Sequence, residues 1–283
     1  MSAPSKFPRA FAVFGAAGLV ALAVVASARA EVAGSPVAAP AQATAGQPPA
    51  PAPVCSAPRE LTRLVHPLTG TARRLASGAP LVIVAVGSSS TYGAGASSPA
   101  ANYPSRLAAE LKQLFPSRDI TVLNRGVNGE ETQQMLARFE KDVIAAHPDL
   151  VLWQVGTNSV IRDHSLAAHG VLLREGIVQL KQAGADVVLM DMQYVPKVLA
   201  KSETPGMEDQ LAITAKQENI DLFERFAIMS NWYQVQHIPF DTFAAADQLH
   251  LNDWGYGCVA KLLADAIAEA ATRPVASAAH SGR

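Results

Sequence analysis

Three consecutive serines, Ser88 to Ser90, directly follow an apolar run that ends at Gly87. A serine hydroxyl becomes an effective nucleophile only when a base takes its proton, and that base is usually a histidine oriented by a carboxylate. Among the seven histidines, His250 stands three residues after Asp247, close enough for the carboxylate to reach its Nδ1. The Asp-x-x-His spacing often arises by chance, so it indicates a Ser/His/Asp site only together with other groups. Three further histidines are expected to face solvent on helices or surface turns: His164, His169 and His237.

Acyl transfer also needs hydrogen-bond donors aimed at the developing oxyanion, and each donor contributes about 2.7–4 kcal/mol to the transition state. Gly129 follows the second apolar run of the chain and offers a backbone N–H without a side chain in the way. Asn158 follows the third run and offers a side-chain amide. The nucleophile's own N–H is a third donor. Read singly, Gly129 is equally an ordinary turn glycine and Asn158 a helix N-cap.

The apolar runs that precede these residues predict buried parallel strands, because they are almost continuously Val, Ile and Leu. They lie at 81–87, 120–126, 150–156 and 186–192, with a weaker fifth at 220–223. Amphipathic helices are predicted between and after them, at 103–115, 131–146, 165–183, 207–218 and 254–271. This alternation predicts an α/β fold: a single three-layer α/β/α sandwich around a parallel sheet of about five strands. Ligands bind beyond the carboxyl ends of such strands, where the candidate residues stand.

The four blocks "VGSSSTYG", "NRGVNGEET", "GTN" and "DQLHLND" together resemble the SGNH hydrolases, also called the GDSL esterase/lipase family. The resemblance spans roughly residues 81–270, in the family's order and spacing. It implies a flavodoxin-like fold and ester hydrolysis through an acyl-serine, with no metal and no cofactor. Block by block, it implies the nucleophile Ser89, the base His250 and its partner Asp247. It also implies three oxyanion donors: Ser89 N–H, Gly129 N–H and the Asn158 side chain.

One residue departs from the family pattern. Where the family has Gly-Asp-Ser, this chain reads Gly87-Ser88-Ser89, so the aspartate of the first block is missing. That aspartate is a supporting group in the family, and activity is expected to survive its loss. The expected function is a serine esterase that acts on short-chain, for example acetyl, esters of a carbohydrate or another small molecule. A catalytically degenerate glycan or cell-envelope binding module, or acyl transfer to a sugar hydroxyl, is the alternative.

The loop at 192–206 is expected to form one wall of the substrate pocket. Gln193 and Tyr194 are its candidate substrate contacts. No Gly-x-Ser-x-Gly elbow, His-Glu-x-x-His, Walker loop or Cys-x-x-Cys occurs in the chain, so the corresponding hydrolase, metal and nucleotide motifs are absent.

The first 30 residues of the chain predict export. Residues 1–30 combine Lys6 and Arg9, an apolar run and the small-x-small motif Ala28-Arg29-Ala30, as in a signal peptide. An uncleaved membrane anchor is the alternative, and it would be the chain's one membrane contact. A Pro/Ala-rich linker is expected at 31–58, the esterase domain at 59–272 and a disordered tail at 273–283.

The charge of the chain bears on its partners, and its cysteine content bears on its compartment. The net charge of −1 becomes about −4 once three basic residues of the first 30 are removed (20 basic, 24 acidic), which disfavours a nucleic-acid partner. The two cysteines, Cys55 and Cys258, are expected to form a disulfide in a periplasmic or secreted protein. Two unrelated thiols are the alternative.

Overall fold

The computed structural model describes residues 52–273. A five-stranded parallel sheet with the strand order β2-β1-β3-β4-β5 forms its centre. The strands are β1 Leu81–Gly87, β2 Ile120–Gly126, β3 Leu150–Gln154, β4 Asp186–Met190 and β5 Asp221–Phe223. This is the strand order of flavodoxin-like doubly wound folds. In these folds the order in which strands are added reverses between β1 and β3, while all strands stay parallel. The predicted fold class is therefore confirmed.

Helices fill the connections between the strands. In the described part of the chain they are α1 Arg59–Thr62, α2 Thr69–Ser77, α3 Ser89–Tyr92, α4 Tyr103–Leu114, α5 Thr132–Leu136, α6 Phe139–Asp142, α7 Thr157–Ile161, α8 Leu166–Gln182, α9 Pro196–Leu199, α10 Thr204–Gln217, α11 Arg225–Gln234, α12 Phe240–Phe243 and α13 Asp253–Thr272. Two 3₁₀ helices lie at Pro99–Ala101 and Ile144–Ala146. Helix α13 packs on α4 and α2, whereas α8 packs on α5 and α10, which gives two helical layers.

Burial explains why the apolar runs became strands. Ile83, Val84, Ala85 and Val86 of β1 are all 0% exposed, as is expected of a strand covered on both faces. Strand β2 lies at the edge of the sheet and is only half-buried, with Thr121 and Arg125 exposed.

The prediction of a single helix at 131–146 is wrong, because the structure has α5, α6 and a 3₁₀ helix in this segment. Arg138 stands at the break with φ −117° and ψ 3°. Its guanidinium donates hydrogen bonds to the carbonyl oxygens of Arg125 (2.8 Å) and Gly87 (3.4 Å). The break thus allows Arg138 to bind the ends of β1 and β2, which a continuous amphipathic helix on the surface would not do.

The disulfide between Cys55 and Cys258 is present and attaches the start of the described chain to α13. Trp254 and Trp232 add hydrogen bonds from their indole N–H groups to the carbonyls of Pro53 and Ser56. Residues 52–58 therefore pack on the domain, and the predicted boundary at 59 is several residues too late.

At the other end, Arg273 donates hydrogen bonds to the carbonyls of Leu64 and Val65, so the predicted tail also begins too early. The predicted signal segment at 1–30, most of the linker and positions 274–283 lie outside the described residues. Within residues 52–273, every helix is too short or too polar to cross a membrane.

Candidate active site

The turn after β1 separates the three serines into two kinds. Ser88 and Ser90 are each 2% exposed, while Ser89, the first residue of α3, is half-buried and accessible. The chain packs closely at Gly87, where a Cβ would lie 2.3 Å from Thr91 Oγ1. Only Ser89 of the three therefore presents its hydroxyl at the carboxyl edge of the sheet.

The structure brings Ser89, His250 and Asp247 together in one hydrogen-bonded chain. The His250 Nε2 atom lies 2.8 Å from Ser89 Oγ, and its Nδ1 atom lies 2.5 Å from Asp247 Oδ2. A carboxylate only accepts hydrogen bonds, so the proton of a neutral imidazole resides on Nδ1 and leaves Nε2 as the acceptor for the serine hydroxyl. This is the tautomer that a general base for Ser89 requires.

Asp247 is held in its ionised form. Partial burial favours a higher pKa for its carboxyl group, but hydrogen bonds from the backbone and ring of His250 and from the Leu249 N–H outweigh it and lower the pKa to about 2. The two backbone bonds reach Oδ1 and are each 3.0 Å long. The same carboxylate therefore closes the loop and orients the imidazole.

The loop that carries Asp247 and His250 is fixed on both sides. An antiparallel bridge joins Ala244 and Leu251, and the Asn252 side-chain amide donates to the Ala244 carbonyl (3.2 Å). Gly95, with φ +88°, packs against this loop so closely that a Cβ would lie 2.5 Å from the Leu251 carbonyl oxygen. The loop 93–95 after α3 and the histidine loop thus approach each other this closely only because residue 95 is a glycine.

The two predicted oxyanion residues flank the serine because β1 lies between β2 and β3. Gly129 follows β2, is exposed and has φ +77°. Asn158 follows β3 and donates one amide hydrogen bond to the Glu130 carbonyl oxygen (2.8 Å). An amide nitrogen carries two protons, so the second proton of Asn158 remains for a substrate oxygen. The oxyanion role of both residues stays a prediction.

Charged side chains hold the loop that contains Gly129. Arg162 donates to the Gly129 carbonyl oxygen (2.9 Å) and pairs with Glu131 (2.5 Å). Arg138 pairs with Glu130 on the other side (2.7 Å). Burial acts to raise the pKa of Glu131, but hydrogen bonds from Arg162, His164 and Ser159 leave it lowered, so this carboxylate stays charged.

His169 was expected to face solvent, and this is wrong: it is 4% exposed on the face of α8 that meets α10. Its Nδ1 atom is hydrogen-bonded to Gln210 Oε1 at 2.8 Å. His164 and His237 do lie at exposed positions.

Gln154, which sequence reasoning missed, occupies the space beside Ser88. Its Oε1 atom accepts hydrogen bonds from Ser88 N (2.9 Å), Ser88 Oγ (3.0 Å) and Thr91 Oγ1 (3.4 Å). The one signal in the sequence is a polar residue at the end of an otherwise apolar strand. A neutral amide therefore supports the turn at the position where the family's aspartate is absent.

Gln193 and Tyr194 do not contact an open pocket, which corrects the expectation that they bind substrate. Gln193 is 1% exposed, and its amide is hydrogen-bonded to side chains and a carbonyl of the protein interior. Tyr194 is 8% exposed; it accepts a hydrogen bond from Gln234 and packs on Phe226 and Phe240. Both residues are internal because the chain after β4 turns inward before α9.

An open cavity of about 620 Å³ lies next to the end of α3. Tyr92, three residues after Ser89 on the same helical turn, lines it and is 56% exposed. Ser97, Ser98 and Asn124 add polar atoms to its wall. Among the residues that the structure describes, no group of three His, Cys, Asp or Glu side chains is arranged to hold a metal ion.

The family model described as the Non-GDSL lipase-like family matches residues 54–273, and the chain belongs to this family. The resemblance to the SGNH hydrolases is thereby confirmed. Two relatives are similar over part of the chain. An acetylxylan esterase from Geobacillus stearothermophilus is 28% identical over 103 residues, which cover 33% of this chain and 47% of the relative. An arylesterase from Vibrio mimicus is 33% identical over 95 residues, which cover 34% and 46%. The chain thus spans about half the length of these relatives.

Two solved structures are similar in fold. A two-domain esterase active on acetylated mannans aligns with a TM-score of 0.62 and 20% identity, covering 75% of this chain and 56% of that one. A catalytic mutant of an acetylxylan esterase from Geobacillus stearothermophilus aligns with a TM-score of 0.58 and 21% identity, covering 66% and 94%. Catalytic mutants of that enzyme replace an aspartate, a serine or a histidine with alanine.

The contacts of Ser88 predict the effect of restoring the family's aspartate. Ser88→Asp is expected to lower the free energy of unfolding by about 3 kcal/mol, because a buried carboxylate would face the Gln154 carbonyl oxygen. A flipped Gln154 amide would not relieve this, since Ser88 N and Thr91 Oγ1 would lose their acceptor. Ser88→Ala is expected to cost only about 1 kcal/mol. Urea unfolding measures both values.

An exposed serine supplies the control for this prediction. Ser202→Asp is expected to change the free energy of unfolding by less than about 0.5 kcal/mol. The deficit of Ser88→Asp should shrink as the pH falls, because a protonated carboxyl group can donate to Gln154 Oε1. A Ser88→Asp protein as stable as wild type would contradict this account of the turn.

Proposed function

We propose that this protein hydrolyses carboxylic esters through an acyl-enzyme intermediate on Ser89. The observation that carries the proposal is the hydrogen-bonded chain from Ser89 Oγ through His250 to the Asp247 carboxylate. The geometry corresponds to an activated serine, in which the base is oriented by an ionised third residue. Family membership and the esterase names of the relatives support the same reaction class.

In the proposed first half-reaction, Ser89 Oγ attacks the acyl carbon while His250 Nε2 accepts the hydroxyl proton. The resulting imidazolium is stabilised by Asp247 and then protonates the leaving alcohol. The tetrahedral oxyanion accepts hydrogen bonds from the N–H groups of Ser89 and Gly129 and from the Asn158 amide. In the second half-reaction His250 takes a proton from water as the water oxygen attacks the acyl carbon. The acyl–Oγ bond then breaks, His250 returns the proton to Ser89 Oγ, and the acid is released.

The substrate class we favour is a short-chain, especially acetyl, ester of a carbohydrate or another small molecule. The names of the relatives point to acetylated xylan, acetylated mannan and aryl esters as substrates of those proteins. The open cavity next to Tyr92, three residues after Ser89, has hydroxyl-bearing walls and would accept a sugar ring that stacks on this exposed aromatic side chain.

The nucleophile is tested with p-nitrophenyl acetate. Ser89→Ala is expected to lower kcat by at least about 10⁴-fold, because no other hydroxyl is held against His250 Nε2. A fluorophosphonate should label wild type once per chain, at Ser89, and should leave the variant unlabelled. Ser77→Ala, on the exposed end of α2, is the matched control and should behave as wild type.

The same assay tests the oxyanion donor and the alternatives. Asn158→Ala is expected to lower kcat about 10²-fold with a smaller effect on KM. A wild-type protein that turns over no ester and takes no label would instead favour a binding module that has lost its chemistry. A product ratio that shifts toward a sugar ester when a sugar alcohol is added would favour acyl transfer.

The pH dependence of kcat follows from the ionisation of two residues. Activity is expected to fall as the pH falls, because a protonated His250 cannot accept the Ser89 proton. Asp247, with its pKa lowered to about 2, stays ionised over the pH range of the assay and adds no second step to the acid limb. Steady-state kinetics from neutral to acidic pH should therefore give a one-proton profile. A limb that requires two protons, in protein shown to be folded by circular dichroism, would contradict this assignment.

We further propose that the protein is exported to the periplasm or secreted. The Cys55–Cys258 disulfide supports this proposal, because disulfides persist in oxidising compartments. Cell fractionation followed by intact-mass measurement tests it: the exported chain should begin after Ala30, and its cysteines should resist alkylation until they are reduced. A full-length, oxidised chain in the membrane fraction would indicate the uncleaved anchor. A cytoplasmic chain with two reactive thiols would contradict export.

A further inference from the structure

Gln193 connects three parts of the candidate site through one buried side chain. Its Oε1 atom accepts hydrogen bonds from Thr157 Oγ1 (3.1 Å) and Ser90 Oγ (3.4 Å). Its Nε2 atom donates to the Leu249 carbonyl oxygen (3.0 Å). Each partner is the immediate neighbour in sequence of a proposed functional residue.

The three neighbours come from separate elements. Ser90 is next to the nucleophile on α3, Thr157 precedes Asn158 at the start of α7, and Leu249 precedes the base in the loop before α13. These contacts span 103, 36 and 56 positions of the chain. One amide on the segment after β4 thus determines how far apart the three segments lie.

A hydrogen bond from Arg225 fixes the orientation of the Gln193 amide. Arg225 is 0% exposed, and its Nη2 atom donates to Gln193 Oε1 at 3.0 Å. The same guanidinium donates to the carbonyl oxygens of Asp191 (2.5 Å) and Met192 (3.4 Å), which hold it in place. A guanidinium has no acceptor, so Oε1 must face it and Nε2 must face Leu249.

We propose that Gln193 is a positioning residue of the active site, which fixes the relative placement of Ser89, Asn158 and His250 without contacting the substrate. This inference rests on the proposed hydrolase function. Misplacing reacting groups by about 1 Å can cost roughly 10²-fold in rate. The loss should fall on kcat, because substrate binding in the open cavity does not involve this buried amide.

Gln193→Met tests the proposal, since it retains the volume of the side chain and removes every polar contact. Gln210→Met is the matched control. Gln210 also bridges two elements, accepting from His169 Nδ1 (2.8 Å) and donating to the Leu166 carbonyl (2.6 Å), but it contacts none of the catalytic segments. Gln193→Met is expected to lower kcat about 10²-fold with KM within about threefold of wild type. Gln210→Met is expected to lose thermal stability with kcat unchanged.

A second variant covers the case in which Gln193→Met does not fold. Gln193→Glu keeps an acceptor for Arg225, Thr157 and Ser90, but it turns a carboxylate oxygen toward the Leu249 carbonyl. This variant should fold, because the new carboxylate forms an ion pair with Arg225. Its kcat should still fall, because the carboxylate oxygen repels the Leu249 carbonyl oxygen and displaces the loop that carries His250. The downfield proton resonance of the His250 Nδ1–H bonded to Asp247 supplies a readout independent of turnover. It should persist in wild type and Gln210→Met and broaden or disappear in both Gln193 variants.

The outcomes separate this inference from the proposed function. An active wild type together with a Gln193→Met protein that matches Gln210→Met in kcat and in the His250 resonance would overturn the positioning role alone. A wild type without turnover or label would overturn the hydrolase function. In that case the His250 resonance decides: its loss in Gln193→Met would still support positioning of the histidine, and its retention would overturn that as well.

Discussion

The hydrogen bond between Ser89 Oγ and His250 Nε2 is 2.8 Å long and joins residues 161 positions apart. A hydrogen bond weakens steeply with distance and angle, so both partners must be fixed independently. The serine follows Gly87, which is packed so closely that a Cβ there would lie 2.3 Å from Thr91 Oγ1 and 2.9 Å from Gln154 Cβ. The histidine is fixed by a loop that its own partner, Asp247, closes through backbone hydrogen bonds. Ser89 directly follows the carboxyl end of β1, whereas the histidine loop connects α12 to α13.

Features that depend on neighbouring residues were predictable from the sequence, and features that depend on distant partners were not. A buried strand is visible as a local run of apolar residues, so the runs at 81–87 and 120–126 correspond to β1 and β2 residue for residue. The Asp-x-x-His loop was likewise readable, since its central contact spans three positions. The break at Arg138 was not, because it depends on carbonyl oxygens of two distant strands. Gln193 was misread for the same reason: a polar residue after a strand looks accessible until the tertiary partners that bury it are known.

The turn after β1 illustrates how a charged support can be replaced by a neutral one. A buried aspartate needs several donors, whereas the buried hydroxyl of Ser88 needs one acceptor, which Gln154 provides. The same Oε1 atom also accepts from Ser88 N and Thr91 Oγ1, so one carbonyl oxygen organises the whole turn. Because this arrangement places no charge beside Ser89, it avoids the desolvation cost of a buried carboxylate. The turn without the aspartate is therefore fully hydrogen-bonded at Ser88 through Gln154 on the neighbouring strand β3.

Among residues 52–273, one cationic side chain is fully buried, and it contacts Gln193. Arg225 is fully buried near Asp191 and Glu208. Burial raises the pKa of both carboxyl groups, that of Asp191 to about 7, and the proximity of Asp191 raises that of Glu208 further, so Glu208 keeps its proton. The guanidinium of Arg225 donates hydrogen bonds to the backbone carbonyl oxygens of Asp191 and Met192 and to Gln193 Oε1. This buried cation is therefore held by neutral acceptors, and it reaches the segments of Ser90, Thr157 and Leu249 through the neutral amide of Gln193.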